Sequence, residues 1–440
     1  MNSTVTFRDQ FWNDVKNSPK DVHLVMIATK PDIIKQAPIF LELKKRGEYV
    51  LLCHTGQHYD YNLSGGLIEE FGIDPDFNLN ISGPLHQKTA QIIQRLGDFF
   101  AQMKELGKIV VPYVHGDTLT AMAASNAAFA NEYASVHVEA GIRTLTPKRF
   151  IFEEILEHFD WDTYYQKLQV RENWELGSIE PYPEQFNTRC AEPASGLHCA
   201  SVELDREFML GEGFNDDRIK VVGNSVYDAT KLVEEKAKDS KIFEEYPLLA
   251  DGDFIRFCIH RRENTSNKER FMAIFGAMKQ MIEAGEKILF ISLFQTESAI
   301  DNFGLRDEIK RLVAEHENFI YSGVWPFYSD VIAVMKRAAC CATDSGSMQE
   351  EMNILGVPCV TLRFGSDRPE SILAGANVIA PPIDSDLIVK IIKGAVNNEA
   401  MKSIPNLYGE NVSEKIVDEV LKVLEKDGEL FRFEQKRLNF

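Results

Sequence analysis

The chain has 440 residues, 44% of them hydrophobic and 26% charged, an ordinary balance for a globular protein of two or three domains that buries a sizeable core. A net charge of −19 and a pI near 5.1 argue against a nucleic-acid partner or an anionic membrane surface, both of which need clustered positive charge. Seven cysteines, odd in number and without a CxxC pair, predict reduced, buried thiols in a cytoplasm, and no run reaches the roughly 18 apolar residues of a membrane span.

The first residues lead into a polar stretch with Asp9, Asp14 and Lys16 and carry no apolar core of signal-peptide length. Short β-rich runs then alternate with helical patterns. In the first half strands are predicted over 22–28, 49–53, 109–114, 135–138 and 219–222, with helices over 37–45 and 118–131. In the second half the strands are 254–259, 287–292, 318–321, 339–342, 357–362 and 377–380, with helices over 268–283 and 348–355. Apolar strands alternating with helices predict an α/β protein whose parallel sheets are covered on both faces. Eleven strands are many for one open sheet, so two doubly wound domains are expected, parting in the Lys/Glu-rich stretch 230–253. Residues 145–182 break the pattern. They are crowded with Phe150, Phe152, Phe159, Trp161, Tyr164, Tyr165 and Trp174, read as helices over 152–159 and 163–175, and look inserted.

Ligands in such folds sit beyond the carboxyl ends of the strands, so the residues that follow each strand carry the functional reading. Lys30 and Lys35 lie where a helix opens after the first strand, a place where amides and the helix dipole favour an anion; a plain turn with solvated lysines competes. In His115-Gly116-Asp117-Thr118 the carboxylate of Asp117 stands at a strand end, unless it merely caps the next helix. Glu139, in His137-Val138-Glu139-Ala140-Gly141-Ile142-Arg143, suits general acid/base work, with a structural ion pair as the alternative. Pro183-Glu184 says little by itself. The basic side chains of His260-Arg261-Arg262 would be costly in a core and point to an anion. Ser345, Gly346 and Ser347 offer hydroxyls and amides where a phosphate would sit, and Glu351 could accept both hydroxyls of a ribose; capping by Ser345 competes. Arg368 fits a diphosphate or a salt-bridged surface loop. No paired metal-ligand spacing, HExxH, GxSxG or Walker-type loop occurs.

Singly these signals are weak; their order is specific. Lys30-Pro31-Asp32, Gln57-His58, the motifs at 115–118 and 137–141, Pro183-Glu184, Gly223-Asn224-Ser225, and those at 260–263, 344–351 and 368–370 together resemble the non-hydrolysing UDP-N-acetylglucosamine 2-epimerases, over about residues 22–380 apart from 145–182. The resemblance implies a GT-B fold: two Rossmann-like doubly wound parallel-sheet domains with a cleft between them. The first would cover 1–230, with the insertion 145–182, and the second, binding UDP, 231–412. A helix in 413–440 would pack back on the first. It also implies a homodimer, a UDP-sugar substrate and no NAD or metal. In the implied reaction UDP leaves across C1–C2 of UDP-GlcNAc, and the resulting 2-acetamidoglucal takes UDP back on the other face to give UDP-ManNAc. Asp117, Glu139 and Glu184 would then be the acid/base carboxylates and His260 the histidine near the diphosphate. Lys30, Lys35, Arg262, Ser345, Gly346, Ser347, Glu351 and Arg368 would bind substrate, and Gln57 and His58 would belong to a regulatory UDP-GlcNAc site found in bacterial members.

The sequence departs from the family at Lys30 (usually Arg), Phe294 (usually His), Ser347 (usually Gly) and the long insertion. Four readings therefore compete with the epimerase: a hydrolysing 2-epimerase, an epimerase of another UDP-sugar, a GT-B glycosyltransferase and a silent nucleotide-sugar binder. The insertion is expected to shape substrate choice or assembly, as a lid or a dimer contact, or else to decorate the first domain.

Overall fold

The structure is a computed structural model that describes residues 5–56 and 61–431. Gln57 and His58 lie outside the described residues. The chain forms two compact units: the described residues of Met1–Ile142, Pro183–Leu232 and Tyr408–Phe440, and those of Arg143–Tyr182 and Val233–Leu407.

The first unit holds an eight-stranded sheet. Its order is Thr6–Phe7, Phe77–Asn78, Val50–His54, Asp21–Ile27, Ile109–His115, Ser135–Ala140, Ser195–Ala200, Ile219–Val221. All neighbours run parallel except the first pair. The two-residue edge strand is held by side chains: Phe7, Phe11, Phe77 and Phe99 pack ring against ring, Phe77 and Phe99 at 4.8 Å. Burying each of the Phe11, Phe77 and Phe99 rings stabilises the unit by about 1.5–3 kcal/mol. The helix Val412–Asp427 packs on the helix Lys30–Lys45, fixed by Arg46 on Asp418 at 2.5 Å, while Asp228 accepts from the amide and hydroxyl of Ser413.

The second unit holds a wholly parallel six-stranded sheet in the order Phe319–Ser322, Lys287–Ile291, Phe254–Cys258, Ala338–Thr343, Cys359–Thr361, Asn377–Ile379. Numbered within each unit from its first parallel strand, both sheets contain the sequence 3-2-1-4-5-6, the doubly wound Rossmann order. In that order the chain reverses direction between strands 1 and 4, and ligands bind beyond that switch point.

Residues 145–182, expected within the first domain, belong to the second unit. Leu145–Pro147 pairs antiparallel with Trp174–Leu176. The helix expected over 163–175 therefore stops at Leu168, and Trp174-Glu175-Leu176 is strand. Trp161, Tyr164 and Tyr165 find partners among residues 375–394 of the second unit. Trp161 stacks on Tyr165 at 5.5 Å and lies over Gly394 of helix Ser385–Val396, where a Cβ would meet the indole at 2.1 Å. The hydroxyls of Tyr164 and Tyr165 donate to the carbonyls of Ile379 and Gly375, each at 2.8 Å. Leu145 and Ser366 exchange two backbone hydrogen bonds, at 3.0 and 2.9 Å.

Candidate functional site

At the switch point of the first unit the strands Asp21–Ile27 and Ile109–His115 end side by side. After the former, Asp32 caps the start of helix Lys30–Lys45, its Oδ2 accepting from the amide and hydroxyl of Thr29 at 3.0 Å each. Its other oxygen, Oδ1, stands 2.9 Å from His115 Nδ1. His115 Nε2 stands 2.7 Å from Glu139 Oε2, and Lys35 Nζ reaches the same oxygen at 2.6 Å. All four side chains are buried. Lys35, expected to add charge beside the helix start, instead points inward from the second helical turn onto Glu139. Glu139 has φ +62°, a left-handed backbone that costs a non-glycine residue about 1 kcal/mol. Next to it Gly141, at φ +92°, lies against the backbone of Asp205, whose carbonyl oxygen would be 2.5 Å from a Cβ.

Asp117 does not cap the following helix. Thr118 does, accepting from Ala121 N at 3.1 Å. Asp117 Oδ2 is buried and meets no hydrogen-bond partner among the described residues. The Asp117 carbonyl accepts from Asn187 Nδ2 at 3.1 Å; Asn187 is one turn into the helix Glu184–Ala191 that Glu184 opens. Lys30, Lys35, Asp117, Glu139 and Glu184 all belong to the first unit. Lys30, half-buried, is the first residue of its helix.

At the second unit's switch point the carboxylate of Asp344 turns back into the protein. It accepts from the amides of His260 at 3.0 and 3.1 Å, Arg261 at 3.0 Å, and the side chain of Asn264 at 3.0 Å. His260 is pushed down to about 4 by burial, opposed by Asp344 and reinforced by Arg261, Arg256 and Arg363, so its ring is neutral at pH 7. Ser345 opens helix Gly346–Leu355 without a side-chain cap bond, so the capping reading of Ser345 fails and its hydroxyl is not spent there. Ser347 donates to Glu351 at 3.0 Å. A Cβ on Gly346 would stand 3.0 Å from Asp367 and 3.5 Å from the guanidinium of Arg368. Asp367 in turn holds Arg363 at 2.6 Å. Burial pushes Asp367 up, but Arg363, Arg368 and Arg261 outweigh it and hold the carboxyl far below the usual range. Arg368 is buried, its Nε on Glu350; the surface-loop reading of this residue fails for that reason. Arg262 is exposed, with its guanidinium 5.6 Å from the ring centre of Tyr182. Phe294, at the start of helix Phe294–Asn302, is 81% exposed.

Sequence reasoning passed over Asp32, His115 and Asp344. Each sits inside a motif that was read for another residue. The third-position carboxylate of a helix start was the available signal for Asp32. Nothing in sequence tells that Asp344 turns inward. Among the described residues no group of three or more His, Cys, Asp or Glu side chains is arranged to hold a metal ion, and no helix is long and apolar enough to cross a membrane.

Over residues 41–159 and 176–422 the chain matches the family model described as UDP-N-acetylglucosamine 2-epimerase; the gap falls inside the inserted segment. It is 29% identical over 402 residues to the UDP-N-acetylglucosamine 2-epimerase of Methanocaldococcus jannaschii, spanning 89% of this chain and 97% of that protein. It is 28% identical over 413 residues to that of Neisseria meningitidis, spanning 90% and 98%. Among solved structures it is similar to the M. jannaschii UDP-GlcNAc 2-epimerase in complex with UDP-GlcNAc and UDP, with TM-score 0.75 and 27% identity over 91% of this chain and 99% of that one. It is also similar to the N. meningitidis enzyme bound to UDP-GlcNAc, with TM-score 0.73 and 27% identity over 91% and 100%.

Proposed function

Because the chain belongs to the UDP-N-acetylglucosamine 2-epimerase family, we propose that it interconverts UDP-GlcNAc and UDP-ManNAc by eliminating UDP and adding it back, without hydrolysis. The observation that carries this reading is the set of carboxylates at the first switch point, where Glu139 is buried on two basic side chains and Asp117 Oδ2 is buried without a partner among the described residues. Carboxylates so placed suit proton transfer at a sugar carbon. The second unit supports the nucleotide half of the reading. With Asp344, Asp367 and Glu350 turned onto amides and arginines, it offers Ser345, Gly346, Ser347 and the helix start to a diphosphate, Glu351 to the ribose, and neutral His260 as a hydrogen-bonding neighbour. Arg262 is assigned to the same diphosphate, with Arg368 acting from behind Gly346, and Lys30 is assigned to substrate on the first unit.

Incubation with UDP-GlcNAc in deuterated water, followed by NMR, tests the reading: UDP-ManNAc should appear with deuterium at C2 in both sugars. Free ManNAc would replace it with a hydrolysing reaction, and turnover without exchange at C2 would overturn the elimination. A second reading rests on Phe294. An aromatic ring 81% exposed where the family usually has histidine favours the same chemistry on a different UDP-sugar, which competition among UDP-sugars would reveal. The proposal extends to a cytoplasmic homodimer without nucleic-acid or membrane partners, supported by the acidic charge and by seven cysteines outside any disulfide. Light scattering checks the dimer.

A further inference from the structure

We propose that Asp32 and His115 are positioning residues that keep Glu139 ionised and oriented, so that it enters each cycle as the proton acceptor rather than the donor. This rests on the epimerase reading and deepens it. The argument begins with hydrogen count. Both ring nitrogens of His115 face carboxylate oxygens, Asp32 Oδ1 at 2.9 Å and Glu139 Oε2 at 2.7 Å. A neutral imidazole has one N–H and would set its other lone pair against an anion; the imidazolium satisfies both. Charge balance agrees. With His115 protonated, Asp32, His115, Glu139 and Lys35 sum to zero in a site where none is more than 4% exposed. With it neutral, the ring would offset neither of the two buried carboxylates that face it, an arrangement proteins avoid.

The ionisable groups that face the ring are Asp32 and Lys35 from helix Lys30–Lys45 and Glu139 from the neighbouring strand. His137, on the strand of Glu139, is turned to the carbonyl of Gly116 at 2.7 Å. Burial pushes His115 down, but Glu139 and Asp32 outweigh both burial and Lys35 and raise it to about 9. Asp32 is itself fixed by the helix cap through Thr29, so orientation passes from the helix start to the ring and from the ring to Glu139. Two charge-assisted donors converge on Oε2. Protonating that oxygen in the resting enzyme would remove the charge that strengthens both bonds, which assigns proton donation to Asp117 or Glu184.

The charge state is read directly by ¹⁵N NMR of His115 in the intact protein. Both ring nitrogens should carry protons at pH 7.5 and the ring should titrate near 9. In Asp32→Asn the titration should fall by about one unit or more. A ring with a single proton at pH 7.5 overturns the proposal, whether or not the enzyme turns over the expected sugar. Kinetics supply the second measurement. In His115→Gln and Asp32→Asn, kcat should fall about 10–100-fold, with KM and UDP affinity nearly unchanged. The wild-type loss of activity above pH 9 should move down in Asp32→Asn, and Asp32→Glu should recover part of kcat. Unchanged kcat and pH profile in both variants would sink the positioning role. Absence of C2 exchange in the wild type would instead reject the epimerase reading and leave the ring titration to decide the charge network.

Discussion

The two switch points are built on the same strand order, yet they treat carboxylates in opposite ways. In the first unit Asp117 and Glu139 stand at strand ends with buried oxygens, one without a partner among the described residues and one held by basic side chains. In the second unit Asp344 is turned onto backbone amides, while Asp367 and Glu350 are bound to arginines. What remains there is hydroxyl, amide, a neutral imidazole, the Glu351 carboxylate beside Ser347 and the exposed Arg262. The lesson is that strand order fixes only where a ligand goes. On the proposed reading, what an acid does at that place depends on which groups neutralise it: a lysine and a histidine leave Glu139 available for proton transfer, whereas amides and guanidinium forks make Asp344, Asp367 and Glu350 part of the frame.

If this contrast is right, the largest effects come from the first unit and fall on turnover. Asp117→Asn, Glu139→Gln and Glu184→Gln should each lower kcat by ~10²–10⁴-fold while UDP still binds, as measured by NMR assay and calorimetry. Loss of UDP affinity in all three would erase the distinction. Next in size, Glu351→Ala should weaken UDP by about 1.5–3 kcal/mol, the worth of a charged hydrogen bond, so an unaltered calorimetric Kd would remove the ribose assignment.

The insertion gives a smaller, sharper test. Because it belongs to the second unit, Gly394→Ala, which drives a methyl into Trp161, should destabilise the protein by about 1–3 kcal/mol in urea and raise KM more than it lowers kcat. The reverse pattern would tie the insertion to the chemical step. The smallest effect concerns acid. His260 lies near 4 in the folded protein against an ordinary 6.5, so between those values the unfolded chain binds the extra proton and stability falls as pH drops. His260→Asn should spare about 1 kcal/mol of that loss at pH 5.5, read by urea midpoints at pH 7.5 and 5.5.

Much of this was legible before any coordinates. Long apolar runs such as Ile109–His115 and Phe254–Cys258 announce strands, and helix Lys268–Glu283 falls where its periodicity puts it. Ser195–Ala200 was missed because Ser-Gly-Leu-His-Cys-Ala has no apolar run, its strand character coming from neighbours on both sides. Trp174-Glu175-Leu176 fits either period, and only pairing with Leu145–Pro147 decides it. At the sites, sequence marked the strand ends but not the direction of each side chain. It could not show that Lys35 serves Glu139, or that Thr118 rather than Asp117 caps its helix. Nor could it tell which unit the aromatics of 145–182 would join, since burial demands a partner surface without naming it.

The order in which the chain is made has a consequence for the first unit. Its last described element, Val412–Asp427, is contributed some 180 residues after Leu232, once the whole second unit has been synthesised. A ribosome adding about 5–20 residues per second therefore releases a finished second unit while the first still lacks the helix that covers Lys30–Lys45. The first unit, although it holds the chain's first strands, is therefore the last whose described elements are all synthesised. A stop codon at position 408 would spare the second unit and deny the first its final layer.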